Sequence, residues 1–191
     1  KFDRDTIMQM FDKVFEEDRV FIHAHFGTNE IDDIFAKLRY LIVGCDCKWV
    51  VVDHLHMLVS AVHEGDERRA IDSIMTRLRS LVEETGAGLI LVSHLRRVDG
   101  NKGHENGVEV SLSHLRGSNS IGQLSDCVIA LERNQQSSDE LEARTTKLRV
   151  LKSRYTGDVG MASALVYDKD TGRLAEEDMS EFEVEDNGIS I

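Results

Sequence analysis

Two short apolar runs, each leading to a polar side chain, constrain the fold of this chain most strongly. The run at 49–52, WVVV, is followed by Asp53, and the run at 89–92, LILV, leads through a serine to His94. Between them, residues 66–84 carry apolar side chains at helical spacing. A strand, a helix and a second strand in this order predict a parallel sheet covered on both faces, and therefore an α/β fold.

The rest of the pattern divides into shorter elements. Before the first run it predicts a helix ending near residue 16, a strand at 19–26, and a helix at 28–45 capped by Thr28 or Asn29. After the second run it predicts a loop to residue 110, a helical stretch to 126, a strand at 127–132 and a polar loop at 133–143. Two strand-like runs, 145–154 and 161–168, flank a turn with the Gly and Asp content of a hairpin. We therefore expect an α/β domain that closes with an antiparallel hairpin.

Composition limits the classes of protein to which the chain can belong. Its 191 residues suit one domain with a tail, which we place at 1–174 and 175–191. No run approaches the roughly 18–20 apolar residues of a membrane span, and the N-terminus has no signal-peptide pattern. The three cysteines form no disulfide framework and suit a reducing compartment. These features predict a soluble intracellular protein without a membrane partner.

The formal charge of −12 argues against a nucleic-acid partner until its distribution is considered. Seven acidic residues and no basic ones lie in 175–191, so the rest of the chain carries a formal charge of only −5. An acidic terminus that is poor in aromatic residues predicts a disordered, solvated tail. Two interpretations stay open, because the tail either only aids solubility or docks on a basic partner.

Asp53 and His94 both follow predicted strands, and ligands of open α/β sheets bind at the carboxyl ends of the strands. A buried Asp53 needs a metal ion or a hydrogen-bond donor, although the residue can also simply cap the next loop. A nucleotide site also needs a glycine-rich loop with a lysine, of the form G-x-x-x-x-G-K-[ST]. The sequence contains no Gly-Lys dipeptide, so it lacks the phosphate-binding loop that such an aspartate serves.

Histidines and cysteines raise the hypothesis of a metal site. The residues in question are His23, His25, Cys45, Cys47, His54 and His56. Neither a Cys-x-x-Cys pair nor a His-Glu-x-x-His motif is present, so ordinary histidines are the favoured interpretation. A catalytic pair of Ser93 and His94 is weaker still, because neighbours on a strand face opposite ways.

Two groups of basic residues are candidates for contacts to phosphates. Arg96, Arg97 and Lys102 lie in a glycine-containing loop directly after the second strand. Lys152 and Arg154 are two residues apart, which places them on one strand face beside the hairpin turn. A nucleic-acid backbone suits the first group and a polyphosphate suits the second, and a solvated surface is the alternative for both.

Taken in order, these motifs resemble those of the hexameric replicative DNA helicases with a RecA-like core. The matching segments are VVVDHLHMLVS, GDERRAIDSIMTRLR, LILVSHLRR, LRGSNSIGQLSD, IALERNQQ and LKSRYTGDVG. The resemblance covers nearly all of 1–174. The resemblance is closest to the helicase half of the phage primase-helicases, with mitochondrial Twinkle and bacterial DnaB-type helicases as relatives. It begins partway through the motor domain, after the P-loop (Walker A) and the catalytic glutamate. The chain therefore looks like the C-terminal part of such a helicase.

The resemblance implies a role for each candidate residue at the nucleotide. It makes Asp53 the Walker B acid that orients Mg²⁺, His94 the sensor of phosphate state, Gln123 a reporter on the nucleotide, and Arg154 the arginine finger with Lys152 beside it. It places Arg116, of the LRGS motif, at a subunit boundary, and Arg133 and Tyr167 beside the nucleotide base. Gly122 departs from the pattern, because close phage relatives have a second arginine there.

The resemblance also implies partners and an activity. Arg96, Arg97 and Lys102 become the residues that hold single-stranded DNA in a central channel. The intact protein becomes a homohexameric helicase that uses ATP or dTTP with Mg²⁺, in the bacterial cytoplasm if phage-encoded or in the mitochondrial matrix if Twinkle-like. We expect the 191-residue chain alone to be inactive, because a Walker B acid without a phosphate-binding loop does not position the substrate.

Two functions of other kinds stay open. One is a non-enzymatic module of the replication machinery whose acidic tail binds a DNA polymerase. The other is a RecA-like recombinase or related ATPase, against which the stretches LRGSNSIGQLSD and LKSRYTGDVG favour a helicase.

Overall fold

A computed structural model describes residues 3–15, 20–23, 30–60, 66–97 and 103–177. The chain divides into two compact units, Lys1–Ser93 and His94–Ile191. In the described ranges, no helix combines the length and the apolar content that crossing a membrane requires. The assignment of one motor domain to 1–174 stays a prediction.

The first unit contains helices and a pair of parallel strands. Its elements are α1 (Arg4–Phe15), α2 (Ile31–Arg39), β1 (Trp49–Val52), α3 (Leu55–Val59), α4 (Glu67–Thr85) and β2 (Gly88–Leu91). The predicted helix at 66–84 is confirmed as α4. The Asp66 side chain caps it by accepting from the amide of Arg68, and Gly86 ends it in the left-handed conformation at φ 71°.

The predicted parallel sheet is confirmed by the pairing of β1 with β2. Val50 lies opposite Leu89, and Val52 lies opposite Leu91. The core of the unit is formed mainly by apolar side chains of the helices. Its buried members are Ile34, Phe35, Leu38, Ile42, Leu55, Leu58, Ile71, Ile74, Met75, Leu78 and Leu81.

One face of this parallel pair is open, although the sequence predicts that both faces are covered. Trp49 and Val51 alternate with half-buried residues along β1, and they are 69% and 63% exposed. Ile90 lies opposite Val51 and is also exposed, as is Val92 just past β2. An apolar face of this kind therefore remains in contact with water in the described part of the unit.

Three local predictions in the first unit need correction. The helix predicted at 28–45 begins at Ile31 with Glu30 at its N-cap position, and it continues as a π-helical turn at Tyr40–Gly44. The predicted caps Thr28 and Asn29 lie outside the described residues. Residues 20–23 of the predicted strand form no strand and do not join the ladder of β1, although Val20, Phe21 and His23 line a groove beside it. The predicted loop after Asp53 begins with the short helix α3.

The second unit is built on an antiparallel sheet. Its elements are α5 (Ser120–Leu124), β3 (Cys127–Glu132), α6 (Glu140–Arg144), β4 (Thr145–Ser153), β5 (Gly160–Tyr167) and β6 (Leu174–Glu177), preceded by a 3₁₀ turn at Leu112–His114. The strands lie side by side in the order β3-β4-β5-β6. The predicted hairpin is confirmed as β4 and β5, and the predicted strand is confirmed as β3. The helical stretch predicted up to residue 126 is confirmed only in part, by the 3₁₀ turn and by α5.

Two elements of this unit were not predicted. The helix α6 lies in the predicted polar loop, where the Asp139 side chain caps it by accepting from the amide of Leu141. The strand β6 contains the first three residues of the predicted tail, and Ala175 pairs with Val166 of β5. The tail boundary at 175 is therefore wrong for residues 175–177, and residues 178–191 lie outside the described part of the chain.

Candidate functional site

Asp53 directly follows β1, at the carboxyl end of the parallel pair. The ladder continues past the strands, because the amide of Val92 donates to the carbonyl of Val52 at 3.0 Å and the amide of Leu55 donates to the carbonyl of Val92 at 2.9 Å. Asp53 is exposed and lines a mostly apolar groove of about 430 Å³. Since water solvates this carboxylate, its charge does not by itself require a buried partner.

The surroundings of Asp53 fit Mg²⁺ better than they fit zinc. Among the described residues, no group of three His, Cys, Asp or Glu side chains could hold a metal ion. Of the histidines His23 and His25, only His23 lies among the described residues, so the structure does not test them as a pair. A single exposed carboxylate suits Mg²⁺, which commonly binds one or two carboxylates and takes its other ligands from phosphates and water. It does not suit a zinc site, which needs three or four protein ligands.

Lys152, in β4, reaches the C-terminal end of α5. Its ammonium group donates to the carbonyls of Gly122 at 2.7 Å, Gln123 at 3.1 Å and Ser125 at 2.8 Å. An ammonium group has three N–H donors, so these three carbonyls match all of them. The lysine therefore holds the last turn of α5 against the sheet.

Arg154 follows the end of β4 and meets the same turn. Its Nη2 donates to the carbonyl of Gln123 at 3.2 Å, and its Nη1 lies 3.1 Å from Oδ1 of Asp126. The side chain is 43% exposed, so the guanidinium is held on one side and open to solvent on the other. The structure thus brings together Gln123, Lys152 and Arg154, which the sequence predicted as separate site residues.

The segment that leaves His94 pairs with the segment around Arg116. The amide of Arg116 donates to the carbonyl of His94 at 3.1 Å, and the amide of Arg96 donates to the carbonyl of His114 at 2.8 Å. Arg96 and Arg97 are both exposed, and Lys102 lies outside the described residues. These backbone contacts fix the start of the predicted DNA loop.

Arg133 and Tyr167 lie at other points of the second unit. Arg133 follows β3, and its Nε donates to the carbonyl of Ala143 at 2.7 Å. Tyr167 is the last residue of β5, pairs with Leu174 of β6 and is 38% exposed. Their predicted place beside a nucleotide base stays a prediction.

The sequence analysis did not single out three charged residues that shape this unit, namely Glu132, Arg149 and Asp126. Glu132 is only 7% exposed, and its carboxylate accepts from the amide of Val110 at 2.8 Å and from Nε of Arg149 at 2.9 Å. Asp126 holds the guanidinium of Arg154. A glutamate at the end of the apolar run CVIAL was the available signal for Glu132, because a charged residue there needs a partner if the strand is buried.

Comparison with known proteins now decides the family. The family model for the DnaB-like helicase C terminal domain matches residues 2–176. The chain belongs to the DnaB-like helicase C-terminal domain family. It is 40% identical over 166 residues to the DNA helicase/primase of Enterobacteria phage T3, covering 87% of this chain and 29% of that protein. The predicted resemblance to phage primase-helicases is thereby confirmed.

Solved structures confirm the RecA-like fold of this DnaB-like domain. A DnaB-like replicative helicase, solved in a study of its interactions with primase, matches with a TM-score of 0.59 at 21% identity, over 76% of this chain and 34% of that chain. A KaiC-like protein from Pyrococcus horikoshii matches with a TM-score of 0.58 at 16% identity, over 93% of this chain and 72% of that chain. The chain thus spans about a third or less of the length of the helicases that it matches.

Proposed function

We propose that the intact protein is an NTP-driven replicative DNA helicase that assembles as a ring of six identical subunits and translocates along single-stranded DNA. The observation that carries the proposal is the position of Arg154. In a chain of the DnaB-like family, its guanidinium is held by Asp126 and Gln123 and is still open to solvent at the start of the β4–β5 turn. A fixed, accessible guanidinium suits a γ-phosphate that is bound on another subunit.

In this proposal Asp53 helps to hold Mg²⁺ together with ATP or dTTP. When bound, the ion neutralises charge on the phosphates. The part of Asp53 is to place one exposed carboxylate at the end of β1, where it can bind the ion or a water attached to it. The loop that cradles the phosphates is absent from this sequence, so the proposed site combines Asp53 with a P-loop located elsewhere in the intact protein.

Arg154 acts in this proposal on the nucleotide of the neighbouring subunit. A ring of head-to-tail interfaces presents one surface of each subunit to a different surface of the next, so a site can contain residues of both. An arginine supplied in this way stabilises the charge that develops on the phosphates during transfer. Lys152 was predicted to bind the nucleotide as well; with its N–H donors matched by carbonyls, we assign it the task of holding Gln123 and Arg154 in place.

In this proposal His94 senses the state of the nucleotide phosphates and couples it to the DNA-binding loop that follows it in the chain. The backbone pairing of His94 with Arg116 joins the predicted phosphate sensor to the LRGS motif. Arg96 and Arg97, which are exposed, and Lys102 contact phosphates of single-stranded DNA. Contacts of this type tolerate any base sequence and weaken as salt rises. Arg133 and Tyr167 are proposed to flank the nucleotide base.

A mixing experiment on the intact protein tests whether the active site is shared between subunits. Asp53→Ala and Arg154→Ala are each expected to abolish NTP hydrolysis, because every interface then lacks one group. When the two variants are mixed before assembly, about one interface in four pairs a native Asp53 with a native Arg154. Hydrolysis is therefore expected to return in the mixed rings.

The outcome separates this proposal from its alternatives. If the mixture stays as inactive as the separate variants while rings still form, Asp53 and Arg154 do not act across an interface. If wild-type protein exchanges strands but does not unwind duplex DNA, the recombinase alternative is correct. Each variant is checked for ring assembly by light scattering, so that loss of activity is not confused with loss of the oligomer.

The acidic end of the chain is proposed to bind a DNA polymerase. This proposal rests on the seven acidic residues in 175–191, of which residues 178–191 lie outside the described part of the chain. Glu176 accepts a hydrogen bond from Ser163 at 2.9 Å, so charge reversal is confined to the acids beyond Glu177. We expect the reversed chain to lose binding to the replicative polymerase of the same system in a pull-down, and unchanged binding would refute the proposal. A location in the cytoplasm of a bacterial host stays a prediction.

A further inference from the structure

The chain that returns from the predicted DNA loop is fastened to one short segment of the second unit. We call residues 104–110 the return arm and residues 132–135 the anchor segment. At the end of the return arm, the amide of Val110 donates to Oε1 of Glu132 at 2.8 Å. Val110 is itself buried, so this attachment combines an apolar contact with a hydrogen bond to a charged acceptor.

Two further contacts join the return arm to the anchor segment. Asn106 forms an antiparallel bridge with Asn134, and the amide of Gln135 donates to the carbonyl of Glu105 at 3.0 Å. Gly107 has a φ of 78°, and a Cβ added there would lie 3.0 Å from Cβ of Asn134. The close approach of the two backbones therefore depends on a glycine at this position.

Glu132 is the charged centre of this attachment. Its side chain is 6% exposed, and Oε1 lies 2.9 Å from Nε of Arg149 in β4. Arg149 also reaches Oε1 of Glu109 at 3.1 Å, on the return arm itself. A buried carboxylate is stable only when its charge is paired and its oxygens are hydrogen-bonded, so both partners of Glu132 are fixed in position.

The other arm of the loop is also fixed, but by different residues. Leu95 and Leu115 form an antiparallel bridge, and the amide of Arg96 donates to the carbonyl of His114. Arg96 and Arg97, which come next, are exposed. Arg96 and Arg97 thus extend from a frame whose two sides are held by backbone pairing and by the buried Glu132. The two sides are also joined to each other, because Nε2 of His104 on the return arm lies 3.3 Å from the carbonyl oxygen of Arg96.

We propose that Glu132 is a positioning residue for single-stranded DNA. It does not touch DNA, because it is buried; it holds the return arm, whose His104 contacts the backbone of Arg96, so that Arg96 and Arg97 are presented in one orientation. Its partner Arg149 lies on β4, three residues before Lys152, so the same ion pair ties the return arm to the strand that carries the nucleotide-site cluster. This inference rests on the proposed DNA-binding role of the loop.

The test compares Glu132→Leu and Glu132→Gln in the intact protein. Leucine removes the acceptor of the Val110 amide, whereas glutamine keeps an oxygen that can accept it. We expect Glu132→Leu to weaken binding of a fluorescent oligo-dT about tenfold, and Glu132→Gln to restore most of the affinity. Hydrolysis of NTP without DNA is expected to stay within about twofold of wild type for both.

The salt dependence of binding separates positioning from direct contact. Glu132→Leu leaves every basic residue of the loop in place, so the same phosphate contacts form in the bound state once the loop has been ordered by DNA. We therefore expect lower affinity with a slope of log affinity against log salt that matches that of wild type. Arg96→Ala removes a proposed phosphate contact, so we expect a shallower slope. A shallower slope for Glu132→Leu would contradict the positioning role.

Gly107→Ala provides a second route to the same displacement if Glu132→Leu does not fold. It strains the return arm at the left-handed position and against Asn134, and it leaves the buried ion pair intact. The matched control is Gly86→Ala, a left-handed glycine at φ 71° with no atom within 4 Å of an added Cβ. We expect Gly107→Ala to reduce DNA affinity and Gly86→Ala to leave it unchanged.

The experiments separate failure of this inference from failure of the proposed DNA-binding function. If wild-type protein does not bind oligo-dT, the DNA-binding role fails and this inference falls with it. If wild type binds and the folded Glu132→Leu and Gly107→Ala variants bind equally well, only the inference is overturned. It is also overturned if DNA affinity, DNA-free hydrolysis and melting temperature all fall in parallel, because Glu132 is then merely structural.

Discussion

Arg154 and Asp126 are joined twice, once through the backbone and once through their side chains. The amide of Arg154 donates to the carbonyl of Asp126 at 2.8 Å, and its Nη1 lies 3.1 Å from the Asp126 carboxylate. The guanidinium therefore has a defined position before any nucleotide is present. Preorganisation of this kind lets a charged group act without first being ordered in the transition state.

Removing this carboxylate should slow catalysis and leave nucleotide binding nearly unchanged. In the intact protein, we expect Asp126→Ala to lower kcat by roughly tenfold to a hundredfold, because a misplaced catalytic group loses most of its effect. KM should change little, since Asp126 does not contact the nucleotide in the proposed site. Asp158→Ala, an exposed acid in the same turn region, serves as the control. A wild-type kcat for Asp126→Ala would contradict the role assigned to this pair.

Lys152 should contribute mainly to stability. Lys152→Met keeps the apolar stem and removes three hydrogen bonds to carbonyls, so we expect the free energy of unfolding to fall by about 2 kcal/mol. Denaturation by urea measures the change. Lys169→Met, which breaks a solvent-exposed pair with Glu140, is the control and should have a much smaller effect. If the two substitutions lowered the free energy of unfolding equally, the three hydrogen bonds of Lys152 to carbonyls would contribute no more stability than an exposed ion pair.

Gly122 can accept a side chain without rearrangement. A Cβ added there meets its nearest atoms, on Leu112 and Leu115, at 3.6 and 3.8 Å, which is ordinary contact. The residue lies inside α5, where replacing glycine by alanine usually stabilises by about 0.5–1 kcal/mol. We therefore expect Gly122→Ala to raise the free energy of unfolding by that amount. A lower melting temperature for this variant would refute the expectation.

The turn between β5 and β6 should respond to acid through Asp168. The side-chain hydroxyl of Thr171, and then the amide of Asp170, donate to its carboxylate and hold the pKa of Asp168 below its ordinary value. A carboxyl group whose folded pKa is depressed contributes stability above its unfolded pKa and loses it as pH falls through the folded pKa. Thr171→Val removes the main donor, so the titration midpoint of Asp168 in carboxyl-detected NMR should rise. An unchanged midpoint would contradict this cause.

The 191-residue chain on its own should not hydrolyse NTP. It contains no Gly-Lys dipeptide, and hence no loop of the kind that holds the phosphates against Asp53. Phosphate release by the purified chain, with Mg²⁺ and either ATP or dTTP, should stay at the rate seen without protein. Turnover that depends on Mg²⁺ and disappears in Asp53→Ala would show that the chain forms a complete site by itself.

Elements with local signals were predictable from the sequence. Helix α4 has both of its boundaries marked, by Asp66 as the N-cap and by Gly86 as the stop, and its apolar spacing is regular. The strand β6 has no such signal, because its sequence LAEE is half acidic and it becomes a strand only by pairing with β5. Edge strands often carry charges of this kind, which makes them resemble loops and tails.

The candidate site shows the same division between local and tertiary information. The place of Asp53 at the end of β1 follows from the apolar run before it. The carbonyl partners of Lys152 lie 27 to 30 residues away in sequence, and no spacing rule connects them. Glu132 was missed for a similar reason, since its partners Val110 and Arg149 meet it only after the sheet has formed.

The two held arms of the predicted DNA loop also have a consequence for variation. Because Leu95 pairs with Leu115 on one side and Val110 is tied to Glu132 on the other, the stretch between Arg97 and Gly103 is framed by fixed ends. Changes in the length of a loop with fixed ends cost little free energy. Insertions or deletions between these two held ends are therefore expected to leave the register of β4, the strand that carries Arg149, unchanged.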